Sequence, residues 1–257
     1  MKKVLSLVMA VLMIAATLCA CGASQNPTTN APTKAPTNAP TTAPTTAPTT
    51  PADPAGPVAI NVHEFLNDAS NWVFNDDEMA AELLTIADGK MHFDCNFPGD
   101  LVAAMLKKPV LDGSYKFTMT VNGQPEEPNE VYWDTELFII ARASVAGTTW
   151  SNGEQTGYCI SSWGDLSTFF LGRAGADDAF GEFSWNINDG QPHEIEIATK
   201  NIEKDGKTAV EVIVYVDGEV IASVIDEGQN PREGRPTMYP EGGNLVIRAK
   251  YMEITVG

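Results

Sequence analysis

Arginine, tryptophan and tyrosine gather in one stretch of this chain, residues 142 to 173, with acidic and amide residues between them. Arg142 closes an apolar run. Trp150 lies in Thr148-Thr149-Trp150-Ser151-Asn152-Gly153-Glu154, Tyr158 opens the next run, Trp163-Gly164-Asp165 reads as a turn, and Arg173 ends a further run. Flat aromatic surface suits the C–H face of a pyranose, and planar donors and acceptors suit its hydroxyls, so this group has the chemistry that sugar binding needs. An arginine at a strand end can hold a two-pronged acceptor such as a uronate or a vicinal diol. Arg142, Trp150, Tyr158, Trp163, Asp165 and Arg173 are therefore the candidate ligand-binding residues. The competing reading is structural: each Trp caps an open end of the fold, and each Arg balances an acidic neighbour. Tyr239 is a weaker addition, and Trp72 and Trp185 read as core.

Other chemistries find less. Glycosidic hydrolysis needs two carboxyls roughly 5 to 10 Å apart, and the nearest arrangement is Tyr132-Trp133-Asp134-Thr135-Glu136, with Glu130 one strand repeat too far away. Asp134 and Glu136 read equally as a solvated strand entrance. His63, His92 and His193 are scattered, no serine stands in a nucleophile elbow, and no Gly-rich loop opens a helix. No catalytic residue is assigned. Asp76-Asp77-Glu78 and Asp177-Asp178 offer oxygen ligands without EF-hand spacing, and charge runs of this kind are usually solvated. Cys95 and Cys159 lack zinc-ligand spacing, and a disulfide and two buried thiols remain equally open. Lys and Arg total 16 against 34 Asp and Glu, a net charge of −18, which repels phosphate backbones and anionic lipid surfaces. Nucleic acid is excluded as a partner.

The elements that would position these residues are strands. Asp-Gly pairs at 88, 112, 189, 205 and 217 and Asn-Gly pairs at 122 and 152 are strong hairpin signals. Between them apolar residues recur with period two. The sets are Met91, Phe93, Cys95 and Phe97; Tyr115, Phe117, Met119 and Val121; Ile195 and Ile197; and Val210, Val212, Val214 and Val216. Leu137 to Ala143 is apolar on both faces, as a central strand would be. In Asn244 to Val256 the phase set by Leu245, Ile247 and Ala249 slips by one at Met252, Ile254 and Val256, which predicts a bulge at Lys250 to Tyr251. Asp76 to Ile86 reads equally as helix or hairpin. Around ten short strands predict an all-β, two-sheet antiparallel sandwich as one domain, residues 58 to 257.

Ahead of it lie two segments of different composition. Met1, Lys2 and Lys3 precede 15 residues, Val4 to Leu18, broken only by Ser6 and Thr17; this is too short to span a bilayer and has the layout of an export signal. Leu18-Cys19-Ala20-Cys21-Gly22 resembles the lipobox of bacterial lipoproteins. That resemblance makes residues 1 to 20 the signal peptide and Cys21 the acylated first mature residue, and it predicts a chain lipid-anchored on the outer face of the bacterial cell membrane. Residues 21 to 57 form a linker. Within it Asn26 to Pro57 carries nine Pro and ten Thr in 32 residues, too little apolar surface for a core. In polyproline geometry, at about 3.1 Å per residue, it would reach on the order of 100 Å.

Gly190-Gln191-Pro192-His193-Glu194-Ile195-Glu196-Ile197, followed by Val210 to Asp217 and Gly218-Glu219-Val220, resembles the concanavalin-like or laminin-G-like jelly roll. Trp72 and Asp88-Gly89-Lys90 match its opening, and the resemblance runs from about Phe65 to Val256. It implies a jelly roll, and in many members carbohydrate binding on a concave sheet or at edge loops, often with a structural calcium. Glucanases of this fold carry E-x-D-x-x-E or E-x-D-x-E on one strand; here Tyr132 stands where the nucleophile would be. The sequence therefore leads to a noncatalytic surface lipoprotein that binds extracellular glycan. A surface-protein partner on the same aromatics and a glycoside hydrolase are the alternatives.

Overall fold

The computed structural model describes residues 58–97, 99–123, 135–146, 156–164, 166–174, 179–229 and 237–257. Among them fifteen strands follow in chain order. These are β1 (Val58–Asn61), β2 (Trp72–Phe74), β3 (Leu84–Ala87), β4 (Lys90–Asp94), β5 (Leu101–Leu106), β6 (Gly113–Gly123), β7 (Glu136–Ala143) and β8 (Tyr158–Trp163). Then come β9 (Thr168–Arg173), β10 (Ala179–Ser184), β11 (His193–Lys204), β12 (Lys207–Val216), β13 (Glu219–Asp226), β14 (Asn244–Lys250) and β15 (Glu253–Val256). They form two sheets. The eight-stranded sheet runs β13-β12-β11-β6-β15-β4-β3, with β1 parallel beside β6; the seven-stranded sheet runs β10-β9-β8-β7-β14-β5-β2. All other pairings are antiparallel, so the chain is a two-sheet β-sandwich.

Period-two alternation builds the core. Met91, Phe93, Tyr115, Phe117, Met119, Val121, Ile195, Ile197 and the valines of β12 face Leu137, Ile139, Ile160, Phe169, Leu171 and Ile247 from the other sheet. Trp72 and Trp185 join them. The pattern stops at Cys95: β4 ends at Asp94, and Phe97 is 72% exposed. Asp88-Gly89, Asp205-Gly206 and Asp217-Gly218 are two-residue hairpin turns with positive φ at both positions, the geometry that matches strand twist. Asp112-Gly113 is not a hairpin. It opens β6, where a Cβ on Gly113 would stand 1.9 Å from the Val58 carbonyl oxygen, so the parallel contact with β1 needs glycine there. Asn122-Gly123 lies inside β6, and Asn152 is outside the described residues.

Two further expectations are corrected. Residues 76 to 86 are neither helix nor hairpin alone: Asp76 caps a short helix, α1 (Asp77–Leu83), by accepting from the Glu78 and Met79 amides, and β3 follows at once. The phase slip at Lys250 to Tyr251 is a change of sheet rather than a bulge. Lys250 still pairs with Glu136 in the seven-stranded sheet, Tyr251 takes φ 51°, and Glu253 pairs with Asp94 in the other. The two sheets meet the core from opposite sides, so the inward set must shift register. Cys95 and Cys159 are free and buried, Cys95 between the sheets and Cys159 on the far side of the seven-stranded one. Burial pushes both thiols up to about 12.

Arg142, Arg173 and Tyr158 tie the sheets together instead of facing outward. A ladder irregularity between Asn244 and Val246, with φ 59° at Arg142, turns that side chain from β7 into the space between the sheets. There its Nε donates to Thr199 Oγ1 (3.0 Å), and Nη1 donates to Asn201 Oδ1 (2.7 Å) and the Tyr239 carbonyl (2.9 Å). Nη2 donates to the Leu111 carbonyl and lies 3.3 Å from Asp112 Oδ1. Arg173 in β9 donates from Nε and Nη2 to both oxygens of Asp226 in β13, and Nη2 also reaches the Gln229 carbonyl (2.8 Å). The Tyr158 hydroxyl donates to Asp226 Oδ2 (2.9 Å). Asp226 has no exposed surface, Arg142 has 3% and Arg173 has 2%.

Removing one member of a buried charge pair strands the other, at about 3 to 5 kcal/mol. Asp226→Ala is therefore expected to destabilise the domain by about that amount in urea unfolding. A second expectation comes from β11. Its first residue, His193, sits with Nδ1 2.8 Å from Asp217 Oδ2 and Nε2 3.2 Å from Asp189 Oδ1. Partial burial disfavours the imidazolium, and the bonds to the two carboxylates outweigh it, so the His193 pKa is raised. The hydrogen bond from His193 lowers Asp217, and the Gln191 amide lowers Asp189. The clamp thus acts in full between about pH 4 and about pH 6.5, and fades as pH rises through the raised histidine value. Thermal melts should show stability falling above about pH 6.5, with that slope flattened in His193→Gln.

Candidate functional site

The far face of the seven-stranded sheet gathers charged and aromatic side chains that the core does not require. Strand alternation puts Leu137, Ile139 and Ala141 into the core, so Glu136, Phe138 and Ile140 must face away from it. The same rule sends Cys159, Ser161 and Trp163 of β8, and Val246, Arg248 and Lys250 of β14, to that side. Register then aligns two rows across the strands. One runs Ala103, Arg248, Phe138, Ser161, Phe170, and the next runs Leu101, Lys250, Glu136, Trp163.

The contacts follow from that register. Arg248 lies over the Phe138 ring at 4.5 Å from its centroid. Trp163 meets Phe138 edge-on at 5.7 Å and Phe170 at 5.6 Å. Arg248 Nη2 is 2.8 Å from Glu136 Oε2, and Lys250 Nζ is 3.4 Å from Glu136 Oε1. Arg248 is 3% exposed, yet its Nε and Nη1 make no hydrogen bond, while Nη2 is held by Glu136 Oε2. Burial pulls the guanidinium below its ordinary value, and Glu136 pulls it back only in part. Buried polar atoms of native proteins are nearly always paired, so the two unmet donors of Arg248 stand out on this face. Ala103, the small residue opposite Arg248, adds no bulk beside the guanidinium.

Of the candidate ligand-binding residues that are described, Trp163 alone is at this place. Arg142, Tyr158 and Arg173 belong to the inter-sheet ties, and Tyr239 is buried with them, its main chain bonded to Arg142 and Tyr158. Trp150 and Asp165 lie outside the described residues, as do Tyr132, Trp133, Asp134, Asp177 and Cys21. Glu136 is present, held by two cations. Arg248, Phe138 and Phe170 escaped sequence reading because alternation around Leu245, Ile247 and Ala249 assigns Arg248 to solvent. The available signal was Val246, an apolar residue on that supposedly wet face. Among the described residues no group of three or more His, Cys, Asp or Glu is placed to hold a metal ion.

The chain matches no protein-family model and no curated protein. Among solved structures it is similar to the carbohydrate binding module CBM66 from Bacillus subtilis, at 10% identity over 72% of this chain and 91% of that one, with a TM-score of 0.46. It is also similar to the potassium-bound carbohydrate recognition domain of Emp46p, at 10% identity over 74% and 89%, with a TM-score of 0.48. A legume lectin-like domain from Entamoeba histolytica shares 10% identity over 73% and 87%, with a TM-score of 0.43. At these identities and scores the likeness does not reach individual binding residues, and the site rests on this chain's own side chains.

Proposed function

We propose that this chain is a noncatalytic surface lipoprotein whose sandwich, residues 58 to 257, binds extracellular carbohydrate on the far face of the seven-stranded sheet. The observation that carries the reading is Arg248, buried beside Glu136 with donors unmet, next to the half-buried Trp163. Sugars require that pairing: an aromatic surface for ring C–H groups and a planar charged group for hydroxyls. Cys21 and the Thr/Pro linker would hold the domain away from the outer face of the membrane. The lipobox resemblance and the linker composition support this tether.

The test is retention of the full chain by a panel of plant and bacterial polysaccharides, with product release scored in parallel. Retention without products is expected; no retention by any glycan would overturn the reading in favour of a protein partner. Trp163→Ala should weaken retention about twofold to thirteenfold, the worth of an aromatic contact of about 0.5 to 1.5 kcal/mol. Cys21→Ser should move the protein from the membrane fraction to the soluble one.

A further inference from the structure

The outer face of the eight-stranded sheet carries a trough that the far-face site does not use. Tyr115, Phe117, Ile195, Ile197, Val212 and Val214 face the core, so strand alternation turns Ser114, Lys116, Glu196, Ala198, Ile213 and Tyr215 outward. Register then lines up one row of mostly short side chains, Ala59, Ser114, Ala198, Ile213 and Ser223, across β1, β6, β11, β12 and β13. Longer side chains flank this floor on both sides. Lys116, Glu196 and Tyr215 form one rim, and Lys200, Glu211 and Ile225 form the other. A cavity of about 320 Å³ lies over the row, lined by Ala59, Ser114, Ala198 and Ile213 and by the rim carboxylates Glu196 and Glu211.

The dimensions and charge of the trough select its occupant. Among the described residues β1 pairs with β6 alone and β13 ends the sheet, so the trough is open at both ends. Four steps between strands, at about 4.8 Å each, give it a length of about 19 Å. Glu196 and Lys200 stand four residues apart on β11, about 13 Å between Cα atoms, and their own side chains narrow that further. A helix, about 10 to 12 Å across with its side chains, is too wide. An extended peptide has the width but gains no ladder, because the floor strands use their main-chain groups on one another. Charges on the rims are already matched: Lys116 Nζ lies 2.7 Å from Glu194 Oε1, and Lys200 stands opposite Glu211. A polyion would compete with those pairs. Hydroxyls instead donate to the remaining lone pairs of the carboxylates and accept from the ammonium groups, and the methyls of Ala59, Ala198 and Ile213 suit the C–H faces of sugar rings. We infer that the trough is a second glycan site, holding an internal stretch of a linear, uncharged polysaccharide laid across the strands. It goes beyond the far-face reading and does not depend on it. The two sites lie on opposite faces of the sandwich, so one domain holds two glycan chains.

The experiment titrates the full chain, labelled at alanine and isoleucine methyls, with cellohexaose, xylohexaose, mannohexaose and laminarihexaose and with the matching disaccharides, followed by NMR. Expected are shifts of Ala59, Ala198 and Ile213 with at least one hexasaccharide, weaker binding of its disaccharide, and no change with added salt. Ala103 and Ile140 report the other face. Shifts in the trough without shifts there support this inference and count against the far-face reading. Shifts at Ala103 and Ile140 with a silent trough would overturn this inference alone, and silence at both sets would overturn both. Trough shifts produced by hexalysine and by none of the sugars, and lost on adding salt, would overturn it in favour of a basic peptide. Ala198→Tyr places a ring on the floor at an outward position where tyrosine suits a strand, and it should abolish the trough shifts without lowering the thermal melt. Should that variant fail to fold, the chain-length and salt arms decide on the unaltered protein.

Discussion

Two buried arginines set the spacing of this sandwich. Apolar faces will press two sheets together at many relative positions, since burial of surface has no direction. Hydrogen bonds from a planar guanidinium do have direction. Arg142 reaches from β7 to Thr199 and Asn201 of β11, and Arg173 reaches from β9 to Asp226 of β13. Each tie joins one sheet to the other at a fixed point. Both are complete, with backbone carbonyls taking up further donors, so neither charge is left uncompensated away from water. The ladders of β14 with β5 and β7 in turn set the row that holds Arg248 beside Phe138 and Glu136.

Arg248 makes the contrast. It is as buried as Arg142, but lies on the opposite face of the same sheet with two of its three nitrogens unbonded. The two arginines thus differ in satisfaction rather than in burial, and the proposed function rests on the unsatisfied one. Phe138 lies beneath the guanidinium and Trp163 stands against Phe138, so strand residues help position the group. Rigid placement of this kind lowers the cost of ordering a side chain when a ligand arrives.

The sequence revealed the architecture well wherever one local rule was enough. Alternation in Tyr115 to Val121 and Val210 to Val216 predicted the core faces, and three Asp-Gly pairs predicted tight hairpins. It failed where a second constraint overrode the first. Asp112-Gly113 carries the same dipeptide, but the glycine serves a parallel strand pressed against it. The phase slip near Tyr251 looks local and reflects two sheets. The site was less legible still. Arg142 and Arg173 have the composition of ligand-binding residues at strand ends, and only the backbone turn at Arg142 and the approach of β13 to β9 show that they face inward. Trp163 was singled out as an aromatic in a turn-like context, and the structure places it at the end of β8. Arg248 was missed because a single charged residue in an apolar strand reads as its wet side.

The crossing of the chain from β14 to β15 also bears on how the domain forms. β14 lies between β5 and β7, and β15 lies between β4 and β6, so one short segment near the end of the sequence completes both sheets. Until that segment arrives, each sheet is split by a gap with unpaired edges on both sides. Contacts between residues so distant in sequence carry a large loop-closure cost and slow the folding of β topologies. Closure of both sheets therefore waits on this one segment, even though neighbours such as β11-β12-β13 and β7-β8-β9 can pair locally before it.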